Sequence, residues 1–167
     1  MPAQRLVLGI DPGLNITGYG ILDIATDEPT LVEAGVLRSK RTDSLPLRLQ
    51  SLYDSLQEVV EAFSFEAVAM EKLYSHYERP TTAIMMGHAR GVLCLAAGQS
   101  GAPVFSYAAT QVKKMLTGNG RANKAQVQMA ITRQLNLQQV PDPPDVADAL
   151  AIAICHHFLT RSSASLI

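Results

Sequence analysis

Apolar residues along the chain follow two different periods. A run rich in Leu, Val and Ile over 5–10 stops at Asp11, and another over 67–70 stops at Glu71. Both read as buried strands that end on a carboxylate. Pro12-Gly13 marks a turn after the first. Strands over 17–23 and 30–37 follow, so the first forty residues read as an antiparallel meander. Leu45, Leu49, Leu52, Leu56, Val59, Val60 and Phe63 then recur at helical spacing, with Asp54, Glu58 and Glu61 between them. A helix over 81–97 has little polar surface, and its Gly87 and Gly91 lie four residues apart, a spacing that predicts close approach of another backbone. A strand over 103–107 follows, then helices over 110–116 and 123–135 around a flexible loop at Gly118-Asn119-Gly120. The proline-rich run 141–144 opens a last helix over 145–159. Three strands, a helix, a strand, a helix, a strand and then helices describe an α/β fold on a mixed sheet.

The 167 residues fit one domain, with a core over about 5–159 and a flexible tail over 160–167. No apolar run reaches the roughly 18 residues that a membrane span needs. The start, Met1-Pro2-Ala3-Gln4-Arg5, lacks the layout of a signal peptide. Cys94 and Cys155 lie far apart without metal-type spacing, which suits a reduced, cytoplasmic compartment. The net charge of −1 hides an uneven distribution. Residues 1–78 carry twelve acids and six bases, whereas 79–141 carry no acid and seven bases: Arg79, Arg90, Lys113, Lys114, Arg121, Lys124 and Arg133. A stretch of one sign makes a local field that attracts polyanions, unless acidic neighbours cover it in space.

Four acids stand out by position. Asp11 and Glu71 project from one sheet edge if their strands are neighbours. Asp145 and Asp148, spaced i, i+3, share a helix face. Converging carboxylates repel unless cations neutralise them, and hard oxygen ligands suit Mg²⁺ or Mn²⁺. Two such ions can activate water and stabilise a leaving oxygen at phosphorus. Each acid also has a plainer reading: Asp11 in a turn, Glu71 at a solvent-facing strand end, Asp145 and Asp148 as helix-start residues. Spacing alone therefore stops at a metal-site candidate.

The motifs go further. Gly9-Ile10-Asp11-Pro12-Gly13 with Thr17-Gly18-Tyr19-Gly20, then Ala69-Met70-Glu71, Gly87-His88-Ala89-Arg90-Gly91 and Asp145-Val146-Ala147-Asp148-Ala149-Leu150-Ala151 resemble, in order, the motifs of the RuvC family of Holliday-junction resolvases. The resemblance spans about residues 5–159. It implies a ribonuclease H-like five-stranded mixed sheet flanked by helices, and a homodimer that cuts two opposed strands of a four-way DNA junction symmetrically. It also implies dependence on Mg²⁺ (with Mn²⁺ as substitute, two ions per site), 5′-phosphate ends that ligase can seal, and work beside the branch-migration proteins RuvA and RuvB in recombination and repair. Carried onto matching positions, Asp11, Glu71, Asp145 and Asp148 become catalytic metal ligands. Lys113 and Lys124 become phosphate contacts, and Tyr74 an aromatic that engages a base near the crossover, with packing as its plainer role. Arg79, Arg90, Lys114, Arg121 and Arg133 are weaker candidates for backbone contact.

The chain departs from the family's pattern in two places. Its pI near 6.4 is lower than is usual for the family. The stretch His76-Tyr77-Glu78-Arg79-Pro80 has what looks like one extra residue, and Glu78 there would repel phosphate. His76 reads as a solvent-facing loop residue and His88 as packed or hydrogen-bonded in its helix. His156 and His157 read as dipole partners near a helix C-terminus. The apolar helix over 81–97 is the candidate dimer face, with a core helix as the alternative. Two rival functions remain at this point: an actin- or sugar-kinase-like phosphotransferase, for which 167 residues leave little room, and a non-catalytic junction-binding module.

Overall fold

The computed structural model describes residues 3–73 and 78–164. Its five strands are β1 (Leu6–Asp11), β2 (Ile16–Asp23), β3 (Thr30–Arg38), β4 (Phe65–Glu71) and β5 (Val104–Tyr107). Its helices are α1 (Leu45–Ala62), α2 (Pro80–Gln99), α3 (Ala109–Thr117), α4 (Lys124–Gln134) and α5 (Pro144–Ala164). The strands form one sheet in the order β3-β2-β1-β4-β5. The meander β1-β2-β3 is antiparallel, while β4 and β5 join β1 in parallel. The parallel joins follow from the intervening helices, because a parallel return needs a long crossover.

Alternation along the strands divides the core between the two faces of the sheet. Leu6, Leu8 and Ile10 of β1 with Val68 and Met70 of β4 pack under Leu52 and Leu56 of α1 and Leu93 and Ala97 of α2. Val7, Ala67 and Ala69 face the other way, under Leu150, Ile154 and neighbouring residues of α5, with α3 and α4 completing that layer. α5 is apolar on nearly every side because the sheet, α3 and α4 all cover it.

Four local expectations change. α5 runs five residues past Leu159, where Arg161 pairs with Asp27 at 2.9 Å. His156 and His157 therefore lie inside the helix rather than at its end, and both are buried. His156 Nδ1 shares a 2.7 Å hydrogen bond with the Tyr107 hydroxyl, and His157 Nε2 donates to the Asp27 carbonyl at 3.2 Å. His88 is exposed on α2 instead of packed. Among the described residues no backbone approaches Gly87 or Gly91. Gly91 has nothing within 4 Å of where a Cβ would sit, because that stripe of α2 faces outward. The 118–120 loop is held by hydrogen bonds. Gly118 closes α3 in the left-handed conformation, and the Asn119 side chain accepts from the Arg121 N–H at 2.9 Å. No described helix is long and apolar enough to cross a membrane.

Candidate active site

Parallel pairing of β1 and β4 runs up to Ile10–Met70, so Asp11 and Glu71 emerge side by side at the next step. Both have the parity of Val7, Gly9, Ala67 and Ala69, and so face α5. Asp11 also stands opposite Gly18 of β2. A Cβ on Gly18 would fall 1.9 Å from the carbonyl oxygen of Asp145, and one on Gly9 would fall 2.2 Å from that of Ala149. Bare backbone at these two positions lets the first turns of α5 lie directly on the sheet. Asp145 and Asp148 are thereby brought over the ends of β1 and β2.

The turn after Asp11 is fixed from within. Fully buried Thr17 accepts from the Gly13 N–H at 3.1 Å and donates to the Gly13 carbonyl at 2.8 Å. Arg90 of α2 holds the other strand end, donating to the Glu71 carbonyl at 3.0 Å and to Ser106 Oγ at 2.8 Å. The sequence offers Arg90 as a DNA contact; in the fold its Nε is engaged by the Glu71 carbonyl and a second nitrogen by Ser106 Oγ. Gly9, Gly18 and Thr17 were visible only as motif letters. Glycine within two adjacent apolar strands is the signal that marks a close-packed helix.

The electrostatics show what the acids do to one another. Burial raises the Asp11 carboxyl most, and repulsion from Glu71, a shared hydrogen bond with it, and the charges of Asp148 and Asp145 raise it further, to about 9. Burial and Asp148 push Glu71 up, against the hydrogen bond from Asp11 and the charge of Lys113. Asp148 is likewise raised by burial and by Asp145, while Lys124 and Lys113 pull it down. Lys113 and Lys124 line, with Glu71 and Asp148, an open cleft of about 270 Å³ between α3, α4 and α5.

The structure places Asp11, Glu71, Asp145 and Asp148 within electrostatic reach of one another, with Lys113 and Lys124 beside Glu71 and Asp148. Lys114 and Arg121 are exposed on the α3–α4 layer, and Glu78 and Arg79 are exposed at the start of α2. Tyr74 and His76 lie outside the described residues.

An all-oxygen donor set whose proton affinities are raised by burial and then by mutual repulsion fits a hard divalent cation. Among the described residues no group of three or more His, Cys, Asp or Glu side chains stands close enough together to hold a metal ion as placed. Mg²⁺ needs fewer protein ligands than such a group provides, since it usually keeps several waters and is bound through one or two carboxylates.

Comparison with known proteins agrees with this geometry. The family model described as "Crossover junction endodeoxyribonuclease RuvC" matches residues 7–156. A crossover junction endodeoxyribonuclease RuvC from Rhodopirellula baltica is 54% identical over 93% of this chain and 88% of its own length. The Thermus thermophilus RuvC structure superposes with a TM-score of 0.87 at 33% identity, covering 95% of this chain and 97% of the other. T. thermophilus RuvC in complex with a Holliday junction substrate gives 0.85 at 32% identity, over 95% and 96%. The mixed five-stranded sheet is thus the ribonuclease H-like one that the resemblance implied. Family match, relatives and fold converge on one assignment: this chain belongs to the RuvC family of crossover junction endodeoxyribonucleases.

Proposed function

We propose that this chain resolves four-way DNA junctions by divalent-metal-dependent hydrolysis of one phosphodiester bond in each of two opposed strands. The observation that carries this reading is the convergence of Asp11, Glu71, Asp145 and Asp148 on one sheet edge beside Lys113 and Lys124. Those four acids hold the cations, Mg²⁺ with Mn²⁺ as substitute, two per site. When bound, the ions supply an activated water and neutralise charge on the phosphate and the departing 3′ oxygen.

The chain's own residues do the rest. Lys113 and Lys124 orient the scissile phosphate in the cleft and offset the charge of Glu71 and Asp148. Arg90 is a positioning residue, fixing the strand end from which Glu71 projects. Lys114, Arg121 and Arg79 are exposed and available for more distant backbone contact; Tyr74, outside the described residues, is assigned stacking on a base near the crossover on the family resemblance alone.

Symmetric cutting needs two sites, and the outward stripe of α2 supplies a face for a second copy. Ile84 and Leu95 there are 61% and 58% exposed, with Gly91 between them. A twofold contact on this stripe lets two helices approach closely at the glycine. RuvA and RuvB are the proposed partners, and the cytoplasm the proposed compartment. The test is cleavage of an end-labelled four-way junction with Mg²⁺, Mn²⁺ or EDTA. Paired nicks at symmetric positions, lost in EDTA, support the reading. Binding without cleavage under every metal condition overturns it.

A further inference from the structure

The chain carries a second basic surface, hidden from sequence reasoning because it lies in the acidic half. Arg38 ends β3, and Lys40 and Arg41 follow in the connection to α1. All three are exposed. The ion pairs Arg5–Glu66 and Arg161–Asp27 leave these cations without a carboxylate partner among the described residues. The only acid within the connecting segment is Asp43.

Register places this corner on the catalytic edge. Arg38 pairs with Ile16, two residues from Gly18, and Gly18 pairs with Asp11. Leu37 points to the α1 face, while Ala34 and Val36 pack on the α5 side; Arg38 therefore shares the face of Asp11. Two strand spacings and two residues of rise put the Arg38 and Asp11 Cα atoms about 12 Å apart. That is roughly three to four nucleotides of duplex rise.

The corner is also tied to the catalytic turn. Ser39 Oγ donates to the Leu14 carbonyl at 2.5 Å, and the Ser39 N–H to the Asn15 carbonyl at 3.1 Å. The Arg48 guanidinium spans both segments, reaching Ser39 Oγ at 3.1 Å and the Asn15 side-chain oxygen. Lys113 and Lys124 stand on the other flank, beyond β4.

We propose that Arg38, Lys40 and Arg41 bind the phosphate backbone of the DNA arm flanking the cut site, on the side of the acids away from Lys113 and Lys124. Arg48 acts as a positioning residue that locks this corner to the Asp11 turn. The inference rests on the junction-cleaving reading and adds to it the path of the substrate: across the sheet edge from the α3–α4 side to β3, with the acids between two cationic flanks.

The test is junction affinity against salt, in EDTA, for wild type and the triple variant Arg38→Gln/Lys40→Gln/Arg41→Gln. Each lost phosphate contact lowers the log–log salt slope by about 0.9, so three contacts lower it by about 2.7. The variant's deficit relative to wild type should then shrink about 40-fold between 50 and 200 mM salt. An unchanged slope, with or without weaker binding, overturns the inference. If the triple variant melts early, Lys40→Gln/Arg41→Gln, confined to the exposed connection, carries the test with a slope change of about 1.8. Wild type must cut the same junction when Mg²⁺ is restored. If it does not, the cleavage reading has failed; if it does and the slopes agree, only the second surface has failed.

Discussion

Replacing Asp11 by asparagine removes one charge from the acid cluster while nearly keeping its shape, and its effect on stability has a definite sign. The carboxyl titrates near 3.8 in an ordinary setting and is raised to about 9 in the fold without metal. The folded state therefore binds a proton that the unfolded chain releases across that window. Stability is full below the unfolded value and declines as pH rises towards the folded one. At pH 7.5 the upper bound on this cost is about 5 kcal/mol, at about 1.4 kcal/mol per pH unit. Glu71 shares the proton and water enters the open cleft, so the part released by the substitution is about 2 kcal/mol. For a chain of this size that corresponds to about 4–8 °C in Tm. Thermal melts in EDTA at pH 5 and pH 7.5 read it directly. Asp11→Asn should melt above wild type at pH 7.5, with the gap narrowing at pH 5. Added Mg²⁺ should raise the wild-type Tm and leave the variant nearly unmoved. A variant less stable than wild type at pH 7.5 in EDTA would refute the reasoning, because Asp11 would then be serving the turn rather than straining the cluster.

Other substitutions separate positioning from packing. Gly18→Ala drives a methyl into the Asp145 carbonyl, so it should cost about 2–3 kcal/mol in denaturant melts and lower junction cleavage at least tenfold. Loss of neither would mean that α5 does not rest on β2 as described. Arg90→Met should reduce cleavage while leaving the salt slope of junction binding within one phosphate contact of wild type; a larger fall in slope would restore Arg90 to the DNA surface. Ile84→Asp with Leu95→Asp should yield monomers in analytical ultracentrifugation that cut one strand at a time, and intact dimers would remove α2 as the interface. Burial lowers the proton affinity of His156 and His157, so stability from their neutral forms should fall as pH drops below about 6.5. Replacing both by Gln should flatten that acid limb of a Tm–pH curve.

Much of this fold was legible because the chain punctuates its elements. Asp11 and Glu71 each stop an apolar strand, and Pro144 with Asp145 opens the last helix, so the acids could be placed before their neighbours were known. What stayed hidden depends on contacts between distant segments. Arg90 looked like one more base in a basic stretch until Glu71 and Ser106 claimed its donors. Gly87 and Gly91 suggested a close helix backbone, yet among the described residues it is at Gly9 and Gly18, where α5 crosses the meander, that a helix backbone comes that close. His156 and His157 were misplaced because the helix continues to Ala164 under the Arg161–Asp27 pair. The Arg38–Arg41 corner was masked by summing charge along the chain, whereas strand pairing brings it beside the acids.

The central claim is that the acid quartet cuts DNA at a four-way junction rather than merely binding there. The most direct measurement compares wild type with Asp11→Asn on one labelled junction with Mg²⁺, following binding and cleavage in the same reaction. Paired symmetric nicks by wild type, with a variant that binds at similar affinity and leaves the DNA intact, are expected. Equal cleavage by the two proteins, or cleavage that persists in EDTA, would contradict it.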